Sequence, residues 1–303
     1  MQHDSTNRHE QGPTLRPRRA SGNRALAIAA AALSWPVTGL PQVATYDHVV
    51  VVVMENHSFS EIIGNTAKAP YINSLAAGGA SFTQSFAVEH PSEPNYLDLF
   101  SGSNQGVTAD SCPHTFSTDN LGSQLIAANL TFIGFSEDLP ASDPQICTYG
   151  THGYARKHNP WVNFSNVPAT SNQPFTAFPA DFSGLPTVSF VVPNLCSDMH
   201  DCTIAVGDAW LSQHIDTYTR WARSHNSLLI LTWDEDDHSA SNQVPTIFAG
   251  ALVIPGIYAE SINHFDVLAT LEAMYGLDAI GAAASNPAIT DLFDTTLFRN
   301  GFE

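Results

Sequence analysis

The chain has 303 residues, 43% hydrophobic and only 13% charged, with 29 acidic side chains against 11 Lys and Arg and a formal net charge of −18. That mixture is too apolar for a disordered acidic chain, and the length suits one large globular domain or two small ones. An acidic body repels phosphate backbones and anionic lipid surfaces, which removes nucleic-acid binding and polybasic membrane docking from the first readings.

Residues 1–44 read as an export leader. Arg16, Arg18, Arg19 and Arg24 precede the apolar run 25–33, and Pro36, Gly39 and Ala44 follow it, the order of a secretory signal. The run is shorter than a bilayer-spanning helix needs, and no later run is long enough either. A secreted or periplasmic protein without stable membrane insertion is therefore expected. Beyond the leader, six basic side chains face 27 acidic ones, a formal charge of −21. The four cysteines of an exported chain favour disulfides, most simply Cys112–Cys147 and Cys196–Cys202 among three possible pairings.

The body alternates buried strands with helices. Residues 49–54 are an unbroken, β-branched apolar run, as a strand covered on both faces reads, and they stop at Glu55-Asn56. Strand-like segments follow at 80–88, 130–135, 188–192 and 228–233, and helical ones at 72–77, 95–100, 121–128, 209–224 and 265–275. This pattern predicts an α/β fold, a mostly parallel central sheet with helices on both faces. Ligands of such sheets bind beyond the carboxyl ends of the strands. That edge receives Glu55-Asn56, then Ser136-Glu137-Asp138, then Asp198, His200 and Asp201, then Asp234 to His238. One Asp after a strand is ordinary turn chemistry. Four such clusters in a body so poor in Lys and Arg point to a bound cation. Residues 286–303 read as a polar tail.

Ser92, in His90-Pro91-Ser92-Glu93-Pro94-Asn95-Tyr96, sits where a helix begins. A serine there can cap the helix, bind an anion or act as an activated nucleophile. It lies in no Gly-x-Ser-x-Gly elbow, and the chain has no Walker glycine loop.

Five segments in sequence resemble the bacterial phosphoesterase family, which holds secreted acid phosphatases and phospholipases C of the alkaline-phosphatase-like superfamily. They are 54–59 (Met-Glu-Asn-His-Ser-Phe), 90–96, 198–201 (Asp-Met-His-Asp), 234–236 (Asp-Glu-Asp) and 242–246 (Asn-Gln-Val-Pro-Thr). The resemblance makes 45–285 a phosphoesterase domain and implies roles by position. Glu55, Asn56, Asp234 and Glu235 match metal ligands, and Ser92 matches a nucleophile that also touches the metal. His158 and His200 match histidines near the phosphate. An all-oxygen ligand set suits one hard ion per chain, Ca²⁺, Mg²⁺ or Mn²⁺ ahead of Zn²⁺. In one departure, Cys202-Thr203 follows Asp201 where the family has a small Gly-Ser type pair.

His90, Asp198, Asp201 and His264 stand as residues that support the ligands or touch substrate, each also open to a turn or capping role. His152 and His238 read as surface histidines, and Asn129 and Asn163 begin glycosylation sequons. The expected activity is hydrolysis of small phosphate monoesters through a phosphoserine, in mild acid. A phospholipase C or other phosphodiesterase is the rival, and a catalytically silent secreted binding protein is the reading from another class.

Overall fold

A computed structural model describes residues 43–239 and 241–294. The stretch 1–44, expected to be a leader, lies outside the described residues apart from Val43 and Ala44. In chain order the regular elements are β1 (His48–Met54), α1 (Phe59–Ile62), α2 (Pro70–Ala77), β2 (Ala80–Phe86), α3 (Ser92–Ser101), α4 (Leu121–Ala127) and β3 (Phe132–Ser136). A small hairpin of β4 (Thr148–Tyr149) and β5 (Tyr154–Ala155) follows, then β6 (Asn172–Pro174) and β7 (Val188–Val192). The chain continues through α5 (Ile204–His214), α6 (Asp216–Ala222), β8 (Ser227–Trp233), β9 (Thr246–Gly250), β10 (Gly256–Asn263) and α7 (His264–Met274).

Eight strands form one sheet in the order β10-β2-β9-β8-β1-β7-β3-β6, parallel throughout except for β9, which runs against both neighbours. The valines of β1 explain its central place. Val49, Val51 and Val53 pack under α3, α4 and α7, while Val50, Val52 and Met54 pack under α2, α5 and α6. With both faces covered, every other residue has an apolar partner, and the strand reads as continuous rather than alternating. Because β1, β2, β3, β7, β8 and β10 point the same way, their carboxyl ends share one edge.

Three differences from the sequence reading have physical causes. The helix expected over 209–224 is two helices that meet at Ile215, with no Gly or Pro to mark the junction. β10 was not foreseen, because it lies at the sheet edge and keeps most of its side chains at least partly exposed. The segment from 286 is not a loose tail over its described part. Ile289, Leu292 and Phe293 are buried, and Ile289 N donates to Thr270 Oγ1 on α7 at 2.8 Å. Three apolar side chains in a short run with Thr290, Asp291 and Asp294 hid that packing.

Gly134 in β3 is set against Trp161, and a Cβ there would stand 2.0 Å from the indole ring. Overpacking a rigid core costs about 1–3 kcal/mol and occasionally more. Gly134→Ala is expected to cost about 3 kcal/mol in denaturant unfolding, at the upper end of that range.

Candidate active site

The sheet edge gathers the site. Glu55 leaves β1 fully buried, its N–H bonded to Asp198 O at 2.9 Å. Asn56 takes the left-handed backbone region (φ 51°), which Asn tolerates, and its N–H donates to Asp234 Oδ1 at 3.1 Å. Asp234 and Glu235 leave β8, with Asp234 N bonded to Met54 O at 3.0 Å. Adjacent parallel strands thus deliver Glu55-Asn56 and Asp234-Glu235 to the same point. Ser92 is the first residue of α3, 1% exposed, where the helix dipole favours negative charge.

The oxygens converge closely. Ser92 Oγ lies 3.1 Å from Glu55 Oε2 and 3.0 Å from Glu235 Oε1, yet its hydroxyl has one proton to donate. The Asn56 side-chain amide stands 3.3 Å and 3.1 Å from the same two oxygens. Turned one way, its oxygen faces only acceptors; turned the other, its NH₂ donates to both. Asp234 Oδ2 and Asp198 Oδ2 are buried without a hydrogen-bond partner. Orphaned acceptors at this density are costly in a dry interior unless a cation joins them. The set Glu55, Asn56, Ser92, Asp234 and Glu235 fits a hard divalent ion.

Protonation follows the same physics. Burial first, then repulsion from Asp234 and Asp198, pushes the Glu55 carboxyl well above its ordinary range. Burial raises Asp198 well above its own, with Asp234 adding repulsion. Asp234 is pushed up to about 7 by burial and by neighbouring Glu235, and burial raises Glu235 as well. Each of these shifts favours the protonated carboxyl over the carboxylate.

His158 enters this layer. Its Nε2 is 3.2 Å from Glu55 Oε1 and its Nδ1 3.5 Å from Asp198 Oδ2, and its ring stacks on Tyr96 with centroids 5.0 Å apart. Burial, and then the positive charge of Lys157, pulls its pKa well below the ordinary value, so the imidazole is neutral. Glu55, His158 and Asp198 could themselves hold a metal, a grouping the sequence reading did not make.

Other candidates are ranged around this centre. His90 bonds Glu235 through Nδ1, and its Nε2 is 3.4 Å from Asp236 Oδ1. Asp201 accepts from two imidazoles, His200 at 2.8 Å and His152 at 2.6 Å. Partial burial works against the charged form of Asp201, but these two bonds win and hold the carboxyl below its usual range. His264 is buried, and its Nε2 pairs with the backbone carbonyl of Asp234 at 2.7 Å, so it braces Asp234 from behind. The two disulfides are Cys112–Cys147 and Cys196–Cys202.

The cluster at 136–138 does not join the site. Ser136 bonds Asn159, Glu137 accepts from Asn194 N and Trp210 Nε1, and Asp138 accepts from Asn194 Nδ2. It ties loops together. Asp236 is buried and closes its own loop through Asn242. Two contributors were missed. Tyr96 donates its hydroxyl to Glu55 Oε1, and its position four residues after Ser92, on the same helix face, was the available signal. Lys157 bonds Asp110, whose other oxygen accepts Glu93 N beside the serine, so a cation near the carboxylates is fixed to the Ser92 turn.

The fold defines a class. A protein of the alkaline phosphatase superfamily from Vibrio parahaemolyticus superposes with TM-score 0.56 at 13% identity, over 81% of this chain and 71% of that one. A phosphonate monoester hydrolase from Silicibacter pomeroyi gives TM-score 0.55 at 12% identity, over 82% and 76%. Residues 65–278 match the phosphoesterase family model, and the chain belongs to that family. It is 54% identical to a phosphatidylinositol-3-phosphatase of Mycobacterium tuberculosis over 284 residues, 89% of this chain and 94% of that protein. It is 30% identical to a phosphate-repressible acid phosphatase of Penicillium chrysogenum, over 81% of this chain and 63% of that longer protein. The protein is a phosphoric ester hydrolase.

Proposed function

We propose that this chain is an exported, metal-dependent phosphomonoesterase that works through a phosphoserine at Ser92. The observation that carries the reading is Ser92 Oγ at the start of α3, within 3.1 Å of one oxygen each from Glu55 and Glu235. When bound among Glu55, Asn56, Ser92, Asp234 and Glu235, a hard divalent ion supplies Lewis acidity toward a phosphoryl oxygen and lowers the pKa of the serine hydroxyl. Ser92 gives its proton to one of the two carboxylates it already faces and attacks phosphorus. The new Ser92 O–P bond forms as the P–O bond to the alcohol breaks. His200 protonates the departing alkoxide; Asp201 holds its Nδ1, which leaves Nε2 as the available nitrogen. Neutral His158 contributes a lone pair rather than a proton, and Lys157 offsets charge on the phosphoryl group. Water then hydrolyses the Ser92 ester, and Ser92 recovers its proton.

The class of substrate is a phosphate monoester on a small alcohol or an inositol ring. The second possibility is favoured by the 54% identical relative, a phosphatidylinositol-3-phosphatase. The acidic body disfavours adsorption to anionic bilayers, so soluble monoesters are expected to be turned over at least as readily as lipid-borne ones. Rates on p-nitrophenyl phosphate, bis-p-nitrophenyl phosphate and phosphatidylinositol 3-phosphate vesicles test this. Monoester turnover is expected to exceed diester turnover by about 10²-fold, or about 2.7 kcal/mol of transition-state discrimination. A diester preference of that size would instead establish a phosphodiesterase.

A further inference from the structure

Behind the turn that carries Lys157 and His158 lies an open-mouthed cavity of about 350 Å³, at the lower end of small-molecule sites. Its deep wall is formed by Arg156, Trp161, Asn163, Phe164, Val167 and Asn172, all buried. Arg156 is 5% exposed, and among the described residues no carboxylate ion-pairs with it. Its guanidinium donates to Asn163 Oδ1, Gln145 O, His114 O and Val162 O, which uses four of five N–H groups and leaves one on Nη1. The Nε bond to Asn163 Oδ1, at 3.0 Å, fixes the orientation of that amide, and Asn163 Nδ2 is buried without a partner. Asn163 therefore serves the cavity and, being 2% exposed, is no glycan acceptor despite its sequon. The Cys112–Cys147 bridge ties the two rims, at Thr115 and Gln145, to each other.

The guanidinium has no direct ion pair, Glu93 and Asp143 acting on it only from a distance, and the spare amide donor beside it asks for an acceptor rather than a donor. The neighbouring walls of Trp161, Phe164 and Val167 are apolar. We propose that this cavity binds a small organic anion, a carboxylate carried on an aromatic or other apolar body. The carboxylate accepts from Arg156 and Asn163, and the body packs on Trp161 and Phe164. Because Arg156 leads directly into Lys157 and His158, an occupant steadies the turn that supplies both residues to the phosphoesterase site.

Benzoate is a fitting probe, and benzamide, of the same shape without the charge, is its control. Titrated into the full chain, benzoate is expected to change tryptophan fluorescence saturably. It should also raise Tm by about 5 °C at a hundredfold excess over Kd, and benzamide should do neither. Asn163→Asp places a carboxylate beside Arg156 and should abolish the response. Ala169→Phe, at the exposed rim, should do the same by filling the mouth, and it carries the test if the first variant does not fold. Ser92→Ala should keep the response, which separates this cavity from the phosphoesterase site. Equal responses to benzoate and benzamide, no saturable response, or a response to inorganic phosphate in place of benzoate would overturn the proposal. So would a benzoate response that survives both cavity variants or disappears in Ser92→Ala.

Discussion

Ser92→Ala is expected to lower kcat/KM on p-nitrophenyl phosphate by about 10⁴-fold or more, the scale seen when a catalytic nucleophile is removed. The loss corresponds to about 5.5 kcal/mol of transition-state stabilisation. It is expected with little change in stability. Ser92 is 1% exposed, but its hydroxyl satisfies only one of the two carboxylates it touches, and the core beneath α3 is built by Tyr96, Leu97, Leu99 and Phe100. A variant that retained a tenth of the activity with an unchanged Tm would mean that water attacks phosphorus directly. A variant that lost activity together with several degrees of Tm would report a packing role instead.

Chelation is the second large effect. Stripping the divalent ion should abolish turnover and reverse the way stability depends on pH near the site. In the metal-free protein Glu55, Asp198 and Asp234 have folded-state pKa values raised by burial and mutual repulsion. For a raised carboxyl the folded state binds more protons than the unfolded one. Its contribution is therefore fully present below the unfolded value and is lost as pH rises through the folded value. For Asp234 that window runs from 3.8 to about 7, a loss on the order of a few kcal/mol by neutral pH. A bound ion pairs the ionised carboxylates and removes the penalty, while protons compete with it in acid. The Tm gap between loaded and chelated protein should thus widen from pH 4.5 to pH 7. A gap that stays constant, or full activity in chelator, would contradict a metal held by this cluster.

The convergence of Glu55-Asn56 and Asp234-Glu235 beside Ser92 was legible because each pair is local in the chain. Glu55-Asn56 and Asp234-Glu235 each terminate a strand whose six or more consecutive buried residues announce it, and adjacent parallel strands bring their ends together. Ser92 was legible as a helix start. What the sequence concealed depends on distance along the chain. Asp201 joins His152 across 49 residues, Lys157 joins Asp110 across 47, and His264 reaches the carbonyl of Asp234 across 30. No periodicity records such pairings. His152 looked like a surface histidine because it is one, half-exposed yet bonded to the carboxylate that orients His200. The cluster at 136–138 misled for the opposite reason: acids after a strand can serve loops as well as ligands, and composition does not separate the two. β9 was passed over because Pro245 and Gly250 bracket a run of only four residues between them.

The central claim is covalent, and trapping the covalent state tests it most directly. The loaded enzyme is mixed with excess p-nitrophenyl phosphate, quenched in acid within the first turnovers, and examined by intact mass and peptide mapping. One phosphoryl group on the peptide containing Ser92, absent from Ser92→Ala and from chelated enzyme, is the predicted result. Burst release of p-nitrophenol with no phosphoryl group on Ser92, or phosphorylation of another residue, would contradict it.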